Sequence, residues 1–369
     1  MLRPTFLLAA LALAAAPANA AHCVAAGQWL DTRAMPLRSA DALLAAGKAD
    51  VVLLGERHAV PAVQLWQRDT IAALAAGGRP LVIGIEYLPR SMQPVLDDFN
   101  AGKIDIDSFR RQSKWDELWR HDFESYRPIL ELARAKSIPL KALNIDRAFV
   151  RQVSREGYAA AAAAGAAPVG QPAPPPAAYA KSLEQVFRQH AREATPQAVA
   201  NFIAAQTVWD RAFAEGLAAI LAERPGTLAI GLMGSGHVEG GNGAEHQLAA
   251  IRKADVWSAI AVPTAAPCDP PAAAADALFG ADEGDAALHF PAQVREGLVD
   301  AAGTKVRAKA REQGVVVGHH GFLGEGRDVG GGRVPGQVHP LGRPGRQQAI
   351  AALDALPASQ RLVISLRYL

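Results

Sequence analysis

Beyond its first twenty residues the chain has no uninterrupted apolar stretch long enough to cross a bilayer, which excludes a bundle of membrane-spanning helices. Charge of one sign is lacking too. Lys and Arg number 38 against 36 Asp and Glu, a formal net charge of +2, so no overall field steers the chain toward nucleic acid. Neither HExxH nor G-x-S-x-G occurs, which leaves the familiar metalloprotease and serine-esterase mechanisms without their motifs. Cysteine is nearly missing. Cys23 and Cys268 suffice for one disulfide in an oxidising compartment, a long closure worth up to about 5 kcal/mol on entropy alone. Two unpaired, buried thiols are the alternative.

The first residues carry the strongest local signal. Arg3 gives a short positive segment, residues 6–16 an apolar run too short to span, and Ala18-Asn19-Ala20 the small-x-small pattern of a cleavage site. A signal peptide over residues 1–20 is expected, with a soluble mature chain in the periplasm or outside the cell. Ala20-Ala21-His22 before Cys23 does not resemble a lipobox, so no lipid anchor is expected.

Five short apolar runs, at 50–54, 81–86, 138–143, 228–233 and 255–262, alternate with helical patterning. That alternation marks an α/β fold, a mostly parallel sheet with helices on both faces. Helices are expected at 59–76, where Pro61 occupies the first turn, at 126–136 behind Ser125, and at about 195–223. Residues 159–180 are rich in Ala and Pro, and the prolines at 172–176 suggest a mobile excursion, a lid or a plain surface insertion. The expected domain covers 21–269, followed by a linker at 270–287 and a small or poorly folded C-terminal unit at 288–369. The outer parts of that unit faintly resemble a PDZ domain. Residues 318–346 have almost no hydrophobic periodicity, a composition that a shifted reading frame through GC-rich DNA produces.

In open parallel sheets, sites form beyond the carboxyl ends of the strands. Here those ends carry polar residues: Gly55-Glu56-Arg57-His58, Gly84-Ile85-Glu86-Tyr87, Leu143-Asn144-Ile145-Asp146-Arg147 and Met233-Gly234-Ser235-Gly236-His237. Each has a plainer account. Glu86 can pair with Arg57 or Arg147, His58 can cap the next helix, and His237 can be a loop residue. Their shared position is what favours function. A helix leading into a parallel strand starts at the same edge, which places Tyr126 over the crevice, and Gln206 and Asp210 near it. Trp115, Trp119 and Phe123 offer flat apolar surface for a planar ligand, or simply core packing.

The segments LLGERH, GIEY, W…Y.PIL.LA, LNIDRAFVR, QTVWDRAFAEGL and MGSGHVEGGNG, in that order, resemble the ChaN-like haem-binding uptake family. That family belongs to a wider superfamily with TraB, Tiki and erythromycin-esterase proteins. The resemblance covers residues 29–269. It implies an α/β fold, haem binding linked to iron uptake, a tyrosine as axial ligand and dimers enclosing paired haems. Carried onto this sequence, Tyr126 is the expected ligand of the haem iron, and Tyr87 and Tyr158 are next in line. His58, His237 and Asn144 stand close by, and Arg127 and Arg147 meet the propionates. An outer-membrane haem transporter is a further expected partner. Superfamily relatives use the GExH glutamate and histidine for hydrolysis. The alternative function is therefore a hydrolase, zinc- or manganese-assisted or metal-free, with Glu56, His58, Glu86 and His237 as catalytic residues. A third reading is an interaction protein that has kept the fold and lost the chemistry.

Overall fold

The computed structural model describes residues 24–191, 194–264 and 274–282. Its strands are β1 (Trp29–Asp31), β2 (Pro36–Leu37), β3 (Val51–Glu56), β4 (Leu81–Pro89), β5 (Leu140–Asn144), β6 (Leu228–Gly234), β7 (Val256–Pro263) and β8 (Ala277–Ala281). They form one 8-stranded sheet in the order β2-β1-β8-β7-β3-β6-β4-β5. From β8 to β5 every neighbouring pair is parallel, and β1 lies antiparallel to both β8 and β2. All five strands expected from the apolar runs are present, with ends that differ by a few residues. Strands β3, β4 and β6 are buried at every position, as a sheet covered on both faces demands.

The helices are α1 (Ser39–Lys48), α2 (Pro61–Ala76), α3 (Gln93–Asn100), α4 (Ile106–Gln112), α5 (Trp115–Leu118), α6 (Phe123–Ala135), α7 (Arg147–Glu156), α8 (Tyr158–Ala163), α9 (Ala177–His190), α10 (Pro196–Glu223) and α11 (Ala244–Ala249). Successive strand residues point to opposite faces, which splits the core in two. Val52, Leu54, Ile83 and Tyr87 pack with Trp66 of α2 and with Tyr126 and Ile129 of α6. Val51, Leu53, Val82 and Met233 pack with Val150 of α7 and with Phe213 and Leu217 of α10. No helix among the described residues is long and apolar enough to cross a membrane.

Three expectations need correction. Helix α6 starts earlier than position 126. Asp122 is its cap, accepting from the Ser125 amide at 3.1 Å and the Ser125 hydroxyl at 3.0 Å, so Tyr126 lies a full turn inside. The segment 270–287, read as a linker, contains β8. Its small residues hid a strand that pairs on both edges, placing Phe279 beside Trp29 and stacked 5.4 Å from Trp66. The Asp276 carboxylate fixes its start by accepting from the Ser258 amide at 2.8 Å. The domain therefore runs past 269.

The Ala/Pro-rich stretch is a tied strap, not a mobile excursion. Gly170 N–H donates to Glu215 at 2.8 Å. Gln247 exchanges two hydrogen bonds, both 2.8 Å, with the backbone of Ala173. The prolines supply no donors, so a buried side-chain amide takes over the pairing that a strand would provide. The C-terminal unit, residues 1–20, Cys23 and Cys268 lie outside the described residues.

Candidate functional site

The chain crosses β6 in passing from β3 to β4, and crosses β3 in passing from β6 to β7. The loops after these two central strands thus leave in opposite directions, and the crevice between them is the switch point where ligands bind in open α/β sheets. Glu56 ends β3, Glu86 lies in the second half of β4, and His237 follows β6.

Glu56 is buried and receives three hydrogen bonds. His58 Nδ1 lies 2.7 Å from Oε1, the Tyr126 hydroxyl donates to Oε1 at 2.9 Å and the Tyr87 hydroxyl to Oε2 at 3.0 Å. Burial pushes its pKa up, but the bond and charge of His58, aided by both phenols, hold the carboxyl below its usual range. His58 is correspondingly raised. Burial disfavours its charged form, and the bond to Glu56 with the charges of Glu86 and Glu56 outweighs that. Its ring stands edge-on to Trp119 at 4.8 Å and lies 5.1 Å from the His121 ring. Gly234 makes room for it, because a Cβ there sits only 3.1 Å from His58 Nε2.

A second acid–imidazole pair lies on the other face. His237 Nδ1 is 2.7 Å from Asp210 Oδ1 on α10, and the Tyr179 hydroxyl of α9 donates to Asp210 Oδ2 at 3.2 Å. Burial raises Asp210 against the pull of His237 and Tyr179. His237 is raised as well, since Asp210 and Glu86 outweigh the burial that disfavours its cation. Glu86 stands between the two pairs and acts on His58, His237 and Asp210 electrostatically, while its Oε2 accepts from the Gly234 amide at 2.7 Å. With each Nδ1 tied to a carboxylate, both rings are fixed in tautomer and orientation. Among the described residues no group of three or more His, Cys, Asp or Glu side chains is placed to hold a metal ion, so the zinc or manganese centre is not formed there.

Beside the acid–histidine network, at the ends of β4 and β5, a crevice of about 470 Å³ opens. Pro89, Leu118, Trp119, Ile145 and Ala148 give it apolar walls. Arg120, Arg147 and Arg151 set positive charge on it, against Glu117 and Asp146. Arg147 and Arg151 are one turn apart on α7 and share its face.

Residues 43–248, more than half of the chain, match the family described as haem-binding uptake, Tiki superfamily, ChaN. The chain belongs to this ChaN family. A solved structure described as cofacial heme binding to ChaN of Campylobacter jejuni is similar at 17% identity and TM-score 0.53, covering 68% of this chain and 95% of that one. The type III effector HopBA1 aligns at 11% identity and TM-score 0.35, over 65% of this chain and 91% of its own. A mutant of the erythromycin esterase EreC in its open conformation aligns at 13% identity and TM-score 0.40, over 64% and 77%. No curated protein matches the chain.

In this ChaN-family chain Glu56, His58, Glu86 and His237 do gather at the strand ends. Arg147 and Asn144 line the neighbouring crevice. Asn144 is also structural: its amide donates to the Glu86 carbonyl at 2.9 Å and ties β5 to β4. His58 does not cap α2, whose first turn has no side-chain cap.

Tyr126 does not hang over the crevice. It is fully buried, its hydroxyl donates to Glu56 and accepts from the Ala59 amide at 3.0 Å, and burial beside Glu56 raises its pKa well above the usual value. Arg127, its neighbour in sequence, faces away. It pairs with Glu124 at 2.6 Å and Asp107 at 3.0 Å, with its guanidinium over Phe123. Trp115 and Phe123 are core residues, and of the aromatic trio only Trp119 reaches the crevice.

Sequence reasoning missed His121 and Tyr179. His121 precedes the Asp122 cap. Burial, then the charges of His58 and Arg147, lower its pKa to about 4, so the ring is neutral at physiological pH. Tyr179 escaped because it follows the prolines of a segment read as an excursion.

Proposed function

We propose that this protein binds haem in the crevice beside Trp119, and takes part in haem or iron uptake outside the cytoplasm. Family membership supports haem as the ligand. The observation that carries the location is the pairing of apolar walls with arginines on the same face of α7. A flat macrocycle with two carboxylates needs both, since arginine forks match carboxylate geometry. The volume falls within the ~300–1,000 Å³ of small-molecule pockets. When bound, haem supplies its iron as the cargo of uptake. The chain's own residues shield the ring and hold its carboxylates.

The proposed localisation rests on the charge, apolar run and small-x-small site of residues 1–20. A homodimer and an outer-membrane haem transporter are the proposed partners, on the strength of the family alone. Hemin titrated into the protein and followed by absorbance tests the function. Saturable binding is expected, and its absence from a folded sample overturns the reading.

A further inference from the structure

We propose that Trp119, Tyr87 and Tyr126 form a one-electron relay, in which an oxidising equivalent reaching the crevice wall is drawn inward and a phenolic proton passes to Glu56. The oxidant is of the class that hydroperoxides generate from iron porphyrins, so its place in the crevice rests on the haem-binding reading above.

Oxidisable rings follow one another inward from the crevice, which Trp119 and Tyr87 line. The ring centroids of this pair are 5.2 Å apart, Tyr87 lies 4.5 Å from Tyr126, and Tyr126 lies 5.3 Å from Trp115. All of these side chains are buried. Aromatic rings this close exchange an electron without any movement of the chain.

An electron alone does not leave a buried phenol easily. The cation radical left behind is a charge held out of water, unless the proton departs with the electron. Both phenols have the acceptor that this requires. Tyr87 donates to Glu56 Oε2 at 3.0 Å and Tyr126 to Glu56 Oε1 at 2.9 Å, distances at which a base takes a proton directly. His58 Nδ1, 2.7 Å from Oε1, helps to hold that carboxylate ionised and ready. Burial and the charge of Glu56 raise both phenols well above their usual pKa, so each keeps its proton until the electron leaves.

The step balances. A phenolic O–H bond breaks, the electron reduces the oxidant by way of Trp119, and the proton goes to the Glu56 carboxylate. A phenoxyl radical and a neutral carboxyl remain, so the oxidation removes a buried negative charge and creates no positive one. Tyr158 lacks this arrangement, because its hydroxyl donates to the Val169 carbonyl at 3.0 Å, an oxygen too weakly basic to keep a proton.

The test uses the whole chain, first without haem. Azide radicals made by pulse radiolysis oxidise tryptophan, and absorbance follows the tryptophanyl radical as it gives way to a tyrosyl radical. The parent protein is expected to show a phase whose rate is independent of protein concentration and is slower in heavy water. Tyr87→Phe combined with Tyr126→Phe should slow that phase at least about tenfold, and so should Trp119→Phe, whereas Tyr158→Phe should leave it unchanged. Glu56→Gln keeps both phenols, removes the base and should slow it as much, with circular dichroism confirming the fold of each variant. An undiminished phase in the double variant overturns the proposal. Equal rates in water and heavy water overturn the transfer to Glu56, a result that needs no variant. The second arm adds hydrogen peroxide to the hemin-loaded chain and reads electron paramagnetic resonance. A tyrosyl signal lost in the double variant is expected, and its absence from the hemin-loaded parent overturns the link to the crevice. Failure to bind hemin overturns the haem reading instead, and the first arm still decides the relay.

Discussion

The Tyr126 hydroxyl donates to Glu56 Oε1 at 2.9 Å, across the interface between α6 and the end of β3. Its other contact, from the Ala59 amide, completes its hydrogen bonding. The phenol is thus a strut between a helix and the sheet, and it aids His58 in keeping a buried carboxylate ionised.

Tyr126→Phe is expected to destabilise the fold by about 1.5–3 kcal/mol, the range for a hydrogen bond to a charged group. Hemin affinity should stay within about twofold of the parent protein. Urea unfolding and a hemin titration check both. Loss of binding in a variant of undiminished stability restores Tyr126 as the iron ligand.

Asp210 and His237 stabilise each other. His237→Ala leaves a carboxylate buried without its imidazole and is expected to cost about 3–5 kcal/mol. Asp210→Asn combined with His237→Ala should cost less than the two single changes added together. A double-mutant cycle by chemical denaturation reads the coupling, and strict additivity contradicts the pair.

Stability should peak near neutral pH, for reasons of opposite sign. The folded pKa of His121 lies at about 4 and its usual value is 6.5, so its contribution is complete above 6.5 and is lost as pH falls toward 4. After allowance for solvent screening of a partly exposed ring, the loss is about 2 kcal/mol. Glu56, also lowered, adds to the acid loss as pH drops below its usual range. His58 and His237 are raised, so their contributions are present below 6.5 and lost as pH rises through their folded values. Denaturation midpoints from pH 4 to 9 test this, and His121→Asn should flatten the limb between pH 6.5 and 4.

At Ala173 the strap is tied by one buried amide, that of Gln247. Gln247→Ala removes both hydrogen bonds to Ala173 and is expected to cost about 2 kcal/mol, near 1 kcal/mol for each. Limited proteolysis should then cut within 164–176 faster than in the parent protein. Equal cleavage rates contradict the account.

Much of the fold was legible because parallel strands buried on both faces read as unbroken apolar runs, and Val51–Glu56 and Leu228–Gly234 do. The strand-end residues were legible for the same reason: Glu56 and Glu86 interrupt such runs. Strand β8 was not, because ALFGA is too small and too short to signal itself and depends on β1 and β7 for its pairing. Side-chain direction was the other gap. Tyr126 and Arg127 were both assigned to the crevice, yet adjacent helical residues point about 100° apart, and the cap at Asp122 turned both away from it. Arg147 and Arg151 at the start of α7 line the crevice together with Trp119, which follows α5, a grouping that depends on tertiary packing.

The central claim is that haem occupies this crevice. Ala148 is exposed on α7 and lines it, so Ala148→Trp fills the space without entering the core. Hemin titrations of the parent protein and this variant, each with a matching thermal melt, test the claim most directly. The account predicts saturable binding by the parent, and weakening of about tenfold or more in a variant that melts at the same temperature. Undiminished binding by Ala148→Trp, or no saturable binding by the folded parent, contradicts it.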